Sequence, residues 1–407
     1  MTKASRSDAL DIMLLVGSIL ALGVSLLAAG SMAAIAGINN ILQLLDNAQA
    51  AWSVAFIFSL MGILTIPGLY LSYRSINGRP PLVSRSLPTA YLLVGVGFPL
   101  ALALGTLSAR ADFLPYFFEP LAHVIAALTP MLFLSVLVVR QLPLIPWRRI
   151  WGHVSGGLWV SPTIALVLEL LAAIPLVAVI FAYVMTEVDP REFIQPFTSG
   201  APLDEGTLNA QLEALLDQPL LVITGLLFVT VLVPLLEEMI KTISLWPMLR
   251  RGVRPIYAFA AGAVMGGAYG LFEALFLAQP GEGWAALMVA RAGATSMHML
   301  TTALASMGFA LAIEKKKLTV ALRYYLFAVV MHGVWNLAAI GVAIVSLFQG
   351  DATSAVLSNG AVVVSVGSGI LLVLLTAGAV SGLHLIPGYL LKRGEIQAPQ
   401  EISAGLS

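Results

Sequence analysis

Residues 231–249 read VLVPLLEEMIKTISLWPML and residues 260–279 read AAGAVMGGAYGLFEALFLAQ. Both segments are apolar, and each is long enough to cross a membrane, which takes about 20 residues of helix. Their ionisable residues are Glu237, Glu238, Lys241 and Glu273. A charged side chain at mid-membrane costs roughly 2.5–3.5 kcal/mol on insertion scales, so such residues are rare in spans and functional by default. The two segments therefore predict a membrane-spanning fold and the location of its functional site.

The composition of the whole chain supports a membrane protein. Hydrophobic residues make up 59% of the 407 residues, charged residues only 10%, and the mean hydropathy is +0.94. Soluble domains carry about 25% charged residues. The absence of cysteine excludes disulfides and thiolate metal sites. The equal numbers of basic and acidic residues, 21 of each, give no indication of a nucleic-acid partner.

Apolar stretches of span length recur along the chain and predict an all-α, polytopic bundle of about ten transmembrane helices. The predicted spans are 11–36, 51–73, 88–109, 117–139, 156–184, 219–248, 256–278, 284–313, 319–346 and 361–387. The first apolar run continues to Ala36, which is too long for the core of a signal peptide, so we interpret it as a retained span.

The connecting segments alternate in charge. Most of the 21 basic residues lie in every second segment, and the positive-inside rule then places both termini in the cytoplasm. The segment 186–218 is acidic from Glu187 to Asp217 and contains a single arginine, so we expect it to be extracytoplasmic. The expected location is a prokaryotic cytoplasmic membrane, with the lipid bilayer as the surrounding partner.

Intramembrane charge is distributed unevenly along the chain. Before the acidic segment the clear example is Glu169, whereas the other ionisable residues collect in the sixth to ninth spans. This division predicts four parts. They are an accessory bundle of five spans at 1–185, the acidic loop at 186–218, a catalytic bundle of five spans at 219–392, and a short polar tail at 393–407.

Four successive helices place polar side chains at a similar depth. With a helical rise of about 1.5 Å per residue, these side chains lie roughly 20–28 Å along the helix from the nearest charged turn. They are Glu237, Glu273, His298 and His332. Lipid-facing placement of all four would be costly, so we expect them to face one another.

Spacing within the helices groups these residues further. Three pairs are separated by four residues, so each pair presents two polar groups on one face. The pairs are Glu237 and Lys241, Tyr269 and Glu273, and His332 and Asn336. Three glycines at the same interval form a small-residue stripe that permits close helix packing. They are Gly262, Gly266 and Gly270.

The arrangement, one group on each successive helix, resembles the PrsW family of intramembrane proteases and, more distantly, the CAAX-prenyl protease/abortive-infection family and the Aph subunit of γ-secretase. The matching groups are Glu237-Glu238-x-x-Lys241, Tyr269-x-x-x-Glu273, His298 and His332-x-x-x-Asn336. The resemblance covers about residues 219–346. It implies a helical core, a double-glutamate catalytic motif and cleavage of membrane-anchored substrates such as anti-sigma factors. The sequence departs from the family pattern at Tyr269, usually Phe, and at Ala274, where Asn is expected.

Peptide hydrolysis within a membrane needs a water, a base and an electropositive group that stabilises the oxyanion. Clustered carboxylates repel one another, which suits one of them to accept a proton from water. The candidate base is Glu237 or Glu238, with Lys241 holding the other carboxylate or assisting the oxyanion. Asn336 would orient water or substrate.

A divalent cation is the predicted cofactor. Three glutamates against Lys241 leave a formal charge of −2, which one such ion would neutralise. The predicted ligands are Glu273, His298 and His332, a His₂Glu set with an open position that is known from catalytic zinc sites. The sequence has no HExxH motif, so a metal-free glutamate mechanism, with the histidines as oxyanion donors, stays open.

Two other function classes are compatible with the cluster. Buried Glu, Lys and His also build the proton relays of transporters, although the chain lacks visible inverted repeats. A non-catalytic scaffold could keep the cluster for assembly. Among the remaining residues, Glu169 has no visible partner in the sequence, and we interpret Arg291 as a snorkelling or loop-pairing residue.

Overall fold

The computed structural model describes residues 5–42, 48–83, 88–110, 115–142, 145–187, 218–277, 283–348 and 355–392. These residues are almost entirely helical, and the only β-pairing among them is an isolated bridge between Val83 and Pro146. The predicted all-α, polytopic fold is confirmed. Most of the acidic segment 186–218 and the tail 393–407 lie outside the described residues.

Six helices precede the acidic segment. They are α1 Ser5–Leu42, α2 Ala48–Ile76, α3 Pro88–Arg110, α4 Pro115–Val139, α5 Trp147–Ser155 and α6 Ser161–Glu187. A π-helical turn, Gly156–Val160, joins α5 to α6 into one span. This span begins at Trp147 and not at residue 156, because the basic residues Arg148 and Arg149 lie on its first helical turn rather than in a connecting segment.

Seven helices follow the acidic segment. They are α7 Pro219–Leu227, α8 Val233–Ile240, α9 Trp246–Leu249, α10 Pro255–Leu277, α11 Trp284–Lys315, α12 Leu318–Phe348 and α13 Ala355–Lys392. A π-helical turn, Phe228–Leu232, joins α7 to α8, and a 3-10 turn, Ile243–Leu245, precedes α9. The sixth span is therefore interrupted twice, once on each side of Glu237 and Glu238.

Nine helical segments among the described residues are long and apolar enough to cross a membrane. The one remaining predicted span, 88–109, corresponds to α3, whose apolar part, Val94–Ser108, is shorter than the others. The span boundaries otherwise agree with the sequence to within a few residues, except at the fifth span and at the last, where α13 runs from Ala355 to Lys392.

The centre of the bundle is formed by α10 and α11. In the 18-residue apolar stretch of each helix, 83% of the residues of α10 and 89% of those of α11 are buried. The corresponding stretch is 0% buried in α13 and 6% buried in the α5–α6 span. The glycine stripe accounts for the close packing. A Cβ added at Gly266 would lie 2.2 Å from the carbonyl oxygen of His298, and one at Gly262 would lie 2.5 Å from that of Thr302. The predicted small-residue contact is thus made between α10 and α11.

One apolar core joins the two halves of the chain. It contains Ile57 from α2, Ala122 from α4, Leu158 from the first π-turn, and Val264 and Leu271 from α10. Gly157 lies close to α10, since a Cβ added there would be 2.3 Å from the carbonyl oxygen of Met265. The accessory and catalytic bundles stay a prediction, and their helices pack against each other across this core.

Candidate active site

The site begins where α8 ends. Proline at the start of α8, Pro234, suits the first turn of a helix, and Glu237 and Glu238 lie on the next turn. The last residue of α8 is Ile240, so Lys241 occupies the helix end, with its backbone N–H donating to the carbonyl oxygen of Glu237 at 2.8 Å. The local break directly after Lys241 places its side chain towards α10 and α11.

The ammonium of Lys241 lies at the centre of the cluster, and its side chain is 0% exposed. Its Nζ is 2.8 Å from Oε2 of Glu237, 3.0 Å from Oε1 of Glu238 and 2.8 Å from Nδ1 of His298. It also lies 4.4 Å from the ring centroid of Tyr269, within cation–π range. A buried ammonium needs such partners, because an uncompensated charge in the interior is strongly destabilising.

Glu238 is fully buried, and both of its carboxylate oxygens are engaged. Its Oε1 contacts Nζ of Lys241 at 3.0 Å and Nδ1 of His332 at 2.9 Å, and its Oε2 accepts a hydrogen bond from Oγ1 of Thr302 at 3.3 Å. This carboxylate therefore ties α8 to α11 and α12.

Glu237 has a different environment. Glu237 is 5% exposed, and its Oε2 has no hydrogen-bond partner among the described residues. The ammonium of Lys241 is close enough for an ion pair, but it lies off the hydrogen-bond directions of this oxygen. The nearest ring nitrogen of His332, Nε2, is 3.8 Å away. One carboxylate oxygen of Glu237 is thus buried and available to another group.

Glu273 forms a second ion pair at the rim of the cluster. Its Oε2 accepts from Nη2 of Arg291 at 2.5 Å and contacts Nε2 of His298 at 2.9 Å. The interpretation of Arg291 as a snorkelling or loop-pairing residue is therefore wrong. Arg291 lies seven residues before His298 on α11, two helical turns away on the same face, and this spacing was the available signal.

The two histidines have defined hydrogen-bond roles. Nδ1 of His298 faces an ammonium and therefore accepts, so its Nε2–H donates to Glu273. Nδ1–H of His332 donates to Glu238, which leaves its Nε2 with a lone pair directed into the cluster. The rings meet edge to face with centroids 4.9 Å apart. Each imidazole is thus oriented by its own carboxylate.

Glu169 also reaches the site, which the sequence analysis did not recognise. Its side chain extends from α6 to the carboxyl group of Glu237, and its Oε1 is buried without a hydrogen bond. The statement that Glu169 has no partner is wrong. The contact depends on the packing of α6 against α8, where Oγ of Ser161 donates to the carbonyl oxygen of Ile240 at 3.2 Å. The only signal in the sequence was a lone acid in an apolar span.

Asn336 faces the π-turn between α7 and α8. Its Nδ2 donates to the carbonyl oxygen of Val229 at 2.9 Å, a group that the wider π-turn leaves accessible. Nearby, the hydroxyl of Tyr325 donates to the carbonyl oxygen of Leu235 at 2.5 Å. These two contacts fix the glutamate-bearing segment against α12. The structure thus brings six of the seven predicted site residues together, and Asn336 lies one helical turn beyond His332, against the π-turn.

The geometry offers a candidate metal site, and its carboxylate is not the expected one. Ligand atoms of Glu237, His298 and His332 lie within 4.8 Å of one another, whereas Glu273 lies on the far side of the His298 ring. The residue types fit a divalent ion. Metal-binding imidazoles commonly donate their other N–H to a carboxylate, as His298 and His332 do here. Oε2 of Glu237, which lacks a hydrogen bond but is ion-paired with Lys241, completes the set, so Lys241 shares two of the three ligand atoms.

The cluster carries excess negative charge. Four glutamates, Glu169 included, against Lys241 and Arg291 leave a formal charge of −2 when the histidines are neutral.

The other buried histidines make separate contacts. His123 accepts from Nε1 of Trp284 at 3.1 Å, and His153 lies 3.1 Å from Oγ of Ser244.

Comparison with known protein families confirms the resemblance to the PrsW family. A family model described as PrsW family intramembrane metalloprotease matches residues 145–367, which is more than half of the 407 residues. The match begins at α5, well before the residues that carried the resemblance, and includes Glu169. Searches of curated proteins and of solved structures give no match. With the span-forming helices described above, the chain is a multi-pass membrane protein that belongs to the PrsW family of intramembrane metalloproteases.

Proposed function

We propose that this protein hydrolyses membrane-anchored, single-span proteins of the anti-sigma-factor type within the bilayer, with Glu237 as the general base. Membership of a peptidase family supports the reaction class. The observation that carries the assignment of the base is the unequal environment of the two adjacent glutamates. Glu238 has both oxygens engaged, whereas Oε2 of Glu237 is buried and lacks a hydrogen bond.

The proposed reaction begins with a water between Glu237 and the scissile carbonyl. Glu237 accepts one proton from this water, and the remaining hydroxide forms a bond to the carbonyl carbon while the carbonyl π electrons move onto the oxygen. When the tetrahedral intermediate collapses, the C–N bond breaks and Glu237 returns the proton to the leaving nitrogen. The products are a carboxylic acid and an amine, and Glu237 is regenerated as a carboxylate.

The developing oxyanion needs fixed positive groups in a site that excludes water. Lys241 is suited to this role, because its buried ammonium is already held 2.8 Å from both Glu237 and His298. Glu273 and Arg291 orient His298 from the opposite side. Asn336 supports the segment through its bond to Val229 rather than through a free amide group.

In the metal-dependent alternative, a divalent ion would be held by Glu237, His298 and His332, with Glu238 and Glu273 orienting the two imidazoles, and Glu237 would then be a ligand and not the free base. Such an ion would supply Lewis-acid polarisation of the carbonyl and acidification of water. Its binding has to compete with Lys241 for Glu237 and His298. This competition is open to direct measurement.

A substrate helix would reach the site from the lipid. The outer wall beside Glu237 is formed by α6, whose residues around Glu169 are exposed on the surface of the bundle. Leu166 is 55% exposed and Leu170 is 63% exposed, so this helix has few neighbours to separate before the site opens. Lateral approach between α6 and α8 fits a membrane-anchored substrate better than a soluble peptide.

The test is a comparison of new protein N-termini in membranes of cells that express the wild-type protein or Glu237→Gln. We expect cleavages within single-span proteins that depend on Glu237. The matched control is Glu314→Gln, a glutamate exposed at the end of α11, which should give the wild-type pattern. Identical sets of termini from wild type and Glu237→Gln would contradict the proposal.

A further inference from the structure

A large cavity lies away from the glutamate cluster, at the end of the bundle where two basic segments meet. Its volume is about 790 Å³. It is bounded by the first half of α1, by α5 with its π-turn, and by the segment that runs from the 3-10 turn to α10. Nothing in the proposed proteolysis uses this space.

The mouth of the cavity is strongly basic. The arginines among its lining residues are Arg148, Arg149, Arg251 and Arg254, and the single acidic lining residue is Asp11. Asp11 is already paired with Arg148, which also contacts Ser75. Arg149 and Arg251 are exposed. The lining residues therefore carry a net positive charge, with four arginines against one aspartate.

The inner part of the cavity is mostly apolar. Trp159, Val160, Ala261 and Val264 line it, beyond the arginines, and the polar groups beside them include the hydroxyls of Ser18 and Ser155. From Arg148 to Val160 the α5 span rises about 18 Å at 1.5 Å per residue. One leaflet of the hydrocarbon core is about 15 Å thick, half of the usual 30 Å. The cavity thus combines a basic mouth with an apolar channel as long as one leaflet.

A topology signal alone does not require this arrangement. Positive-inside residues need only lie on the cytoplasmic side, as Arg250 does, which adjoins Arg251 but does not line the cavity. Here arginines from two segments separated by about 100 residues of sequence converge on one opening. The guanidinium group of arginine can bind two phosphate oxygens at once, whereas the ammonium group of lysine acts as a point charge.

We propose that this cavity binds an anionic phospholipid, with the phosphate at Arg149, Arg251 and Arg254 and an acyl chain along the apolar wall. Basic pockets between transmembrane helices are known to accept anionic lipid headgroups. The bound lipid would contact Ile243 and Ser244, which follow Lys241 in the sequence, and so would brace the 3-10 turn behind the active site. The proposal does not depend on proteolysis.

The test is lipid binding to the purified full-length protein, measured by native mass spectrometry during titration with phosphatidylglycerol or with phosphatidylcholine of the same acyl chains. We expect one phosphatidylglycerol to bind in preference to phosphatidylcholine. The double variant Arg149→Gln/Arg251→Gln should weaken this binding about tenfold or more, because two of the guanidinium groups proposed to hold the phosphate are removed. The matched control, Arg250→Gln, should bind as the wild type does.

A second pair of variants tests the apolar wall. Gly17 lines the cavity and has open space at its Cβ position, so Gly17→Leu should fill part of the channel and weaken lipid binding. Gly30 has the same open surroundings on α1 but does not line the cavity, and Gly30→Leu should have no effect. Equal binding of both lipids, equal losses in variant and control, or displacement by millimolar inorganic phosphate or glycerophosphate would each overturn the proposal.

Discussion

Nζ of Lys241 lies 2.8 Å from Nδ1 of His298, and both groups are buried in the membrane-spanning part of the bundle. The same ammonium is 2.8 Å from Oε2 of Glu237. These two acceptors are also two of the three candidate metal ligands. Lysine and a divalent ion would therefore compete for one set of atoms, and we expect Lys241 to control how strongly the site binds a metal.

Substitution of this lysine should reveal the competition. We expect Lys241→Met to raise the affinity for zinc about tenfold or more, because the rival positive charge is removed from Glu237 and His298. Metal analysis of the wild type should find about one ion per chain if the metal is functional. The comparison uses chelator-stripped protein titrated with zinc, with His332→Ala as the variant that should lose binding. Active wild-type protein free of metal would instead establish the metal-free glutamate mechanism.

Glu169 should matter for activity although it lies on an exposed helix. Its side chain reaches Glu237, so Glu169→Leu should lower the cleavage rate about 10- to 100-fold by removing a polar partner of the base. The thermal stability should change little, since α6 has few buried contacts. Thr163→Val on the same helix is the control, because the exposed Thr163 hydroxyl donates to the carbonyl oxygen of Trp159 in the adjoining π-turn. Wild-type rates for Glu169→Leu would remove Glu169 from the site.

Arg291 and Glu273 should behave as a coupled pair. Arg291→Met leaves the Glu273 carboxylate partly buried with only His298 as a partner, and it should destabilise the protein by about 3 kcal/mol. The double variant with Glu273→Gln should be more stable than Arg291→Met alone, because the unpaired charge is gone. Unfolding midpoints in mild detergent measure the cycle. Additive losses would show that the two residues act independently.

The membrane orientation can be tested in this cysteine-free chain. Single cysteines can be labelled with a membrane-impermeant reagent from either side. Glu205→Cys, in the acidic segment, should react only from outside the cell, whereas Lys315→Cys, in a basic segment, should react only from the cytoplasm. The reverse pattern would invert the whole topology.

The sequence predicts the fold well, because each span is recorded locally as a run of apolar residues. It also identifies the glutamate, lysine and histidine cluster, since charge in a span is unusual wherever it occurs. Two members were missed for the same physical reason. The contacts of Glu169 with Glu237 and of Arg291 with Glu273 are set by packing between helices, and the spacing of Arg291 and His298 indicates a shared helix face but not the carboxylate that it meets. The predicted metal ligand was Glu273, whereas the structure offers Glu237. This difference likewise depends on which side of His298 each carboxylate lies.

The difference between the two adjacent glutamates was also beyond sequence reasoning. Glu237 and Glu238 are neighbours in an identical apolar context, yet a rotation of about 100° around the helix gives them different partners. Thr302 and His332 bind Glu238 and restrain it. Glu238→Gln should therefore lower the unfolding midpoint as well as the rate, whereas Glu237→Gln should lower the rate with a smaller loss of midpoint, because Lys241 keeps its ion pair with Glu238.

The most direct measurement is cleavage of a single-span substrate by the purified protein in liposomes, with the cut located by mass spectrometry of the products. The substrate is a single-span protein whose cleavage in cells, detected as a new N-terminus, requires Glu237. Wild-type protein should cut within the membrane-spanning segment, and Glu237→Gln should cut about 10²–10⁴-fold more slowly while remaining folded. Cleavage by Glu237→Gln at the wild-type rate would contradict the assignment of Glu237 as the base.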